Sequence, residues 1–210
     1  MNRIQLTKLT NLACKLSLQS SKLASKRLSL GSVRFYATPT HIHYTAQPQA
    51  QQCLDHGNQL MLNGQTEFAL NWYLKSIDIM PTATAHYNAG LCYYQLKNIQ
   101  STLEHFEKSL ELDPNASDVH TNLANLYVLS LNQPDKAIFH LQQAVKIDPM
   151  DGEAHYNLGC VLDLSGQLEL AMDSYKTSQS LGVEKASSVL KNAQIRWFNL
   201  QKAKNENKND

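Results

Sequence analysis

The sequence predicts an all-α protein built from stacked antiparallel helix pairs, and three periodic features predict it. Gly57, Gly90, Ala124 and Gly159 follow one another at intervals of 33, 34 and 35 residues. Pro81, Pro114 and Pro149 repeat at 33 and 35. Downstream of each member of the first series stands a second small residue (Ala69, Thr102, Ala137, Ala171), with a large one four positions on (Tyr73, Phe106, Leu141, Tyr175). A period of this size marks a repeat architecture, in which each unit buries its apolar surface against its neighbours. Small residues let two helices approach to about 8–10 Å while the large ones fill the space between them. Each proline lacks the N–H that a continuing helix needs, so it ends a second helix and turns the chain into the next pair.

Ahead of the repeats, residues 1–54 of the 210 hold seven of the 19 basic side chains and no acid. Lys8, Lys15 and Lys22 stand seven apart, and Leu9, Leu12, Leu16 and Leu23 would form an apolar stripe on a helix. This composition resembles a mitochondrial presequence. The run Arg34-Phe35-Tyr36-Ala37 is similar to a matrix-processing site, with an arginine shortly before the cut and a small residue opening the mature chain. The resemblance implies a removable leader over 1–36, a mature start at Ala37 and a place in the mitochondrion, with the matrix as default. A basic tail or a helix lying on a membrane surface is the alternative. Residues 37–49, with Pro39 and Pro48 among small and polar neighbours, are expected to form a flexible spacer.

The repeats then run over 50–82, 83–116, 117–151 and 152–185. Their clearest stretches are HYNAGLCYYQLKN from His86 and HYNLGCVLDLSGQ from His155. This pattern resembles the tetratricopeptide repeat, and the resemblance implies a right-handed superhelical solenoid of helix pairs. Three departures bear on boundaries alone: an extra residue in LSLNQPDKA, Lys97 where a turn glycine is usual, and Val183 in place of a proline. Val189, Leu190, Ala193, Trp197 and Leu200 recur at helical spacing, so residues 186–203 are expected to cap the last pair. Ala186, at the start of that cap, is expected to tolerate a larger side chain. Residues 204–210 read as a disordered polar tail.

Composition excludes several functions. Beyond residue 54 the chain carries 12 basic against 18 acidic side chains, a net of −6, which repels phosphate backbones, so no nucleic acid is expected as partner. No stretch is long and apolar enough for a transmembrane helix, while peripheral membrane association stays open. Cys14, Cys53, Cys92 and Cys160 form no CxxC pair, and the last three read as small buried hydrophobes. His86, His120 and His155 occupy equivalent repeat positions, about 10 Å apart by helix stacking and too far to share a metal. No nucleophile motif, phosphate loop or carboxylate pair stands out. The expectation is a non-enzyme without cofactor or metal.

The first helices of such an array line its groove, and here they are rich in amides and tyrosines. Asn88, Asn122 and Asn157 share one repeat position, two residues before Gly90, Ala124 and Gly159. Asn58, Tyr87, Tyr94, Asn125 and Tyr156 lie on the same helices. An amide can donate and accept at once, which suits an extended peptide's main chain, and tyrosine adds an aromatic contact with a polar tip. The series resembles the asparagine ladder of the repeats in the O-linked glucosaminyltransferase family. An asparagine that bonds only inside its own helix pair would give the same series. Tetratricopeptide domains that grip acidic chaperone tails use a basic clamp, but the positions where its lysines are expected read Leu54, Asp118 and Glu153. RNA binding like that of pentatricopeptide arrays is disfavoured too, since residues 50–185 hold 7 basic and 16 acidic side chains. The expected partner is another protein, through an extended neutral or basic segment. A permanent structural role through the convex face and the Trp197 helix is the rival.

Overall fold

Helices follow the repeat register. A computed structural model describes residues 41–206, and its described residues form nine helices and no strand. The leader, its cut site at Arg34, Tyr36 and Ala37, and residues 207–210 lie outside the described residues. Two units are distinguished, residues 41–115 and 116–206.

The first unit holds α1 (His41–Leu62), α2 (Thr66–Ile79), α3 (Ala83–Gln95) and α4 (Ile99–Leu112). α1 packs on α2, α3 on α4, and α2 on α3. Thr82 caps α3 by accepting from the Ala85 N–H at 3.2 Å, and Asn98 caps α4 by accepting from Ser101 at 3.1 Å. The periodic small and large residues meet as expected: a Cβ on Gly90 would lie 2.6 Å from the Phe106 ring. Leu54, Ala69, Leu70, Tyr73, Ala85, Ala89 and Cys92 form one buried cluster. Lys97 ends the turn after α3 with φ +60°, the left-handed conformation that glycine adopts at Gly64, at a cost on the order of 1 kcal/mol.

The structure corrects the spacer. Residues 41–49 are not a flexible linker but the opening turns of α1, which runs through Pro48. Pro48 withdraws one backbone donor, yet the helix is anchored from Ala50 onward: Ala50 is buried, and its carbonyl accepts the Ser76 hydroxyl at 2.8 Å. That bond recurs as a device the sequence reading missed. The Ser109 hydroxyl donates to the Ala83 carbonyl at 2.9 Å, and Ser178 to Gly152 at 2.8 Å. Each ties the end of a second helix to the first helix of its repeat, at the opening residue for Ala83 and Gly152 and within α1 for Ala50, and gives a buried serine hydroxyl its partner. The equivalent third-repeat residue, Ala144, has no hydroxyl.

The second unit holds α5 (Ser117–Leu129), α6 (Pro134–Ile147), α7 (Gly152–Leu164), α8 (Leu168–Ser180) and α9 (Glu184–Glu206). Here α5 packs on α6, α6 on α7, α7 on α8 and α8 on α9. Pro134 opens α6, where its missing N–H has no intrahelical partner to lose. Asp151 caps α7 by accepting from the N–H groups of Glu153 and Ala154. Leu123, Leu126, Leu141, Tyr156, Val161 and Tyr175 are among the buried side chains.

α9 outruns the cap expected over 186–203. It includes Lys204, Asn205 and Glu206 of the supposed tail, where Lys202 and Glu206 pair one turn apart at 3.8 Å. Ala186 is fully buried with Leu190 and Ala193, so the tolerance expected there is also corrected. Arg196 pairs with Asp163, and the Trp197 indole N–H donates to Glu169 at 3.0 Å.

Candidate functional site

In the first unit, the close approach at Gly57 brings Tyr73 from α2 alongside α1. The Tyr73 hydroxyl donates to Asn58 Oδ1 at 2.9 Å, and Asn88 Nδ2 from α3 donates to the same oxygen at 3.1 Å. Burial pushes the Tyr73 hydroxyl well above its ordinary pKa, with Cys92 adding to the shift, so it remains a donor. One amide is thereby oriented against the other. Among the described residues, Asn58 Nδ2 and Asn88 Oδ1 make no hydrogen bond within the protein. The pair therefore presents one donor and one acceptor on first helices, Asn58 exposed and Asn88 half-buried. Tyr87 and Tyr94 are half-buried on the same helix as Asn88, and the Tyr87 ring lies 5.8 Å from that of Phe106.

The second unit treats the equivalent residues differently. Asn122 and Asn125 are half-buried on α5, and Asn122 Nδ2 donates to the Asp118 carbonyl one turn back at 3.0 Å. Tyr156 and Asn157 are corrected: neither stands on an open face. Tyr156 is buried with its ring 6.0 Å from that of Tyr175, and Asn157 is only 3% exposed. The first turn of α9 covers Tyr156. Its Lys185 ammonium sits 4.3 Å over the Tyr156 ring and pairs with Glu153 at 2.6 Å. Asn157 Oδ1 is buried without a hydrogen-bond partner, a cost to the folded state.

Histidines and cysteines take other roles. His86 Nδ1 faces His105 Nδ1 at 3.2 Å and His120 Nδ1 faces His140 Nδ1 at 3.0 Å, while His155 Nε2 lies 3.2 Å from the Pro149 carbonyl. His105 and His140 escaped the sequence reading, although each directly precedes a large periodic residue, Phe106 or Leu141. Cys53 and Cys92 are buried, and burial pushes the Cys92 thiol up to about 12, far from reactivity. Among the described residues, no group of three or more histidines, cysteines or carboxylates could hold a metal ion, and no helix is long and apolar enough to cross a membrane. A cavity of about 380 Å³ opens between the start of α8 and the end of α9, lined by Leu168, Leu170, Trp197, Leu200 and Lys204.

Comparison with known proteins agrees with this architecture. Residues 81–150 match one profile of the tetratricopeptide repeat, and residues 123–182 match a second. Tetratricopeptide repeats are therefore present in both units. Sperm-associated antigen 1 of Rattus norvegicus is 40% identical over 58 residues, which is 28% of this chain and 6% of that protein. The chain thus spans a small fraction of the length of its curated relative. Among solved structures, MamA from residue 41 to its end, of Desulfovibrio magneticus RS-1, is similar at 22% identity and a TM-score of 0.64, covering 75% of this chain and 90% of that one. YrrB, described as a tetratricopeptide-repeat protein with an unusual peptide-binding site, is similar at 26% identity and a TM-score of 0.59, covering 68% and 75%. The fold class is the all-α tetratricopeptide solenoid that the sequence predicts.

Proposed function

We propose that the protein is a mitochondrial adaptor or assembly factor that holds an extended, neutral or basic segment of another protein and catalyses no reaction. The observation that carries this reading is the Asn58–Asn88 pair. Its mutual bond and the Tyr73 hydroxyl leave one amide donor and one amide acceptor side by side for a ligand, the complement of a peptide main chain. Tyr87 and Tyr94 supply aromatic surface on the same helix. A peptide-binding neighbour of the same fold, YrrB, supports the class of ligand. The acidic balance of the repeats favours a neutral or basic segment over an acidic one.

Its test is binding of a displayed library of unstructured peptides, followed by titration of the best binder. Asn58→Ala with Asn88→Ala should weaken that peptide by about tenfold, from two hydrogen bonds at about 0.5–1.5 kcal/mol each. Unchanged affinity in a folded double variant would remove the amide pair from the reading. The mitochondrial location rests on the acid-free leader and the Arg34 to Ala37 run. N-terminal sequencing of the organelle's form should begin within a few residues of Ala37, and an intact Met1 there would refute processing.

A second reading has its own observation. Ile195, Phe198 and Leu200 of α9 are exposed, Phe198 by 64%. A structural subunit docked through this helix into a larger complex would cover them, and its assembly would ignore the Asn58 and Asn88 substitutions.

A further inference from the structure

Among the described residues, a histidine pair built the same way recurs in each unit. In both, a buried imidazole on the first helix of a repeat (His86, His120) faces a half-buried one on the second (His105, His140). The Nδ1 atoms stand 3.2 and 3.0 Å apart, and the ring centroids 5.1 and 5.2 Å. That separation is an N–H···N hydrogen bond, which requires one proton between the two nitrogens. Tyr93 backs His105 with rings 5.2 Å apart, and Tyr127 stacks on His140 at 5.5 Å, so neither second ring can simply swing away.

Proton bookkeeping sets the limit. In the neutral pair one ring carries its proton on Nδ1 and the other on Nε2. A first added proton goes to the outer Nε2 of the donor ring and leaves the central bond intact. A second must go to the accepting Nδ1, which then presents N–H to N–H and one cation to another at about 3 Å. We propose that the two pairs are acid-sensitive latches, which hold α3 to α4 and α5 to α6 while they share a single central proton and open when a second is forced on them.

At the first pair, burial opposes the charged form more than the neighbouring charges relieve it. The charged groups acting on His86 and His105 are Glu104, Lys108 and Glu111, all on α4, and Glu104 is already paired with Lys108 at 2.9 Å. Burial is the first cause holding both imidazoles below their ordinary value. On His140 the acting charges are His120 and Lys136, both unfavourable, and burial with these two pushes it down to about 4. The sign follows directly. Unfolded histidines take up protons near pH 6.5 while the folded pairs refuse one each. Stability is therefore complete above about pH 6.5 and is lost as the pH falls toward 4.

Urea unfolding of the full chain at pH 7.5, 6.5 and 5.5 tests the latches. One refused proton per pair raises the unfolding constant about fivefold between pH 6.5 and 5.5, so the two together raise it about thirtyfold. His105→Gln with His140→Gln keeps a donor for the first-helix imidazole and removes its competitor, and should flatten most of that rise. An equal rise in wild type and variant overturns the proposal. Should the variant not fold, imidazole nitrogen resonances of the wild type decide. In the folded protein at pH 5.5 each pair should keep one Nδ1 bare, and protonation of both Nδ1 atoms in a fully folded chain refutes the latch.

Discussion

Phe106→Ala should lower the stability of the chain by about 3–5 kcal/mol, the range for deleting a buried phenylalanine ring. The ring is 2% exposed and lies directly on Gly90, where even a Cβ would come within 2.6 Å of it. Glycine has no side chain to move into the space, and the start of its helix is held twice, by the Thr82 cap and by the Ser109 bond to Ala83. The cavity therefore stays open, and the upper part of the range is expected. Phe106→Leu fills most of the volume and should cost less than about half as much. Urea unfolding measures both. If alanine and leucine cost the same, small amount, α3 and α4 do not approach as closely as the Gly90 contact requires. Peptide binding should fall with Phe106→Ala as well, because the ring supports Tyr87 at 5.8 Å on the candidate face.

Much of this was legible in the sequence because close helix approach leaves a compositional mark. Gly57, Gly90 and Gly159 admit no Cβ against Tyr73, Phe106 and Tyr175, and a residue type so constrained recurs at the repeat period. Features that depend on a distant element left no such mark. Tyr156 and Asn157 occupy the same repeat positions as Tyr87 and Asn88, and nothing within their helix tells the two cases apart. What differs is Lys185, 29 positions beyond Tyr156, closing over its ring. Pro48 reads locally as a helix breaker, yet α1 continues through it because pairing with α2 outweighs one lost backbone bond. The amide series was visible, but its use was not: Asn88 turns to Asn58 because Tyr73 shares that oxygen, and Asn122 turns to its own helix. His105 and His140 could have been found by asking what faces a recurring buried histidine, since a buried imidazole nitrogen needs a partner.

Gly159→Leu should destabilise the second unit by about 3 kcal/mol, near the top of the usual overpacking range. A Cβ at this position would stand 2.6 Å from Cδ1 and Cε1 of Tyr175 and 3.2 Å from the Ala171 carbonyl. Neither neighbour can yield easily. Tyr175 is 2% exposed with Tyr156 behind it, and Ala171 is fully buried inside α8. Gly159→Ala is the sharper comparison, because alanine gains about 1 kcal/mol of helix propensity over glycine. Its net cost is what remains of the steric penalty after that gain, so it should be a fraction of the leucine cost. Adding Tyr175→Leu to Gly159→Ala removes the ring atoms that the new Cβ strikes, so the two changes together should cost less than the sum of their separate costs. Thermal or urea unfolding of the four variants yields that coupling. Strict additivity would mean that the Tyr175 ring does not rest on Gly159, and the repeat register built on these contacts would then have to shift.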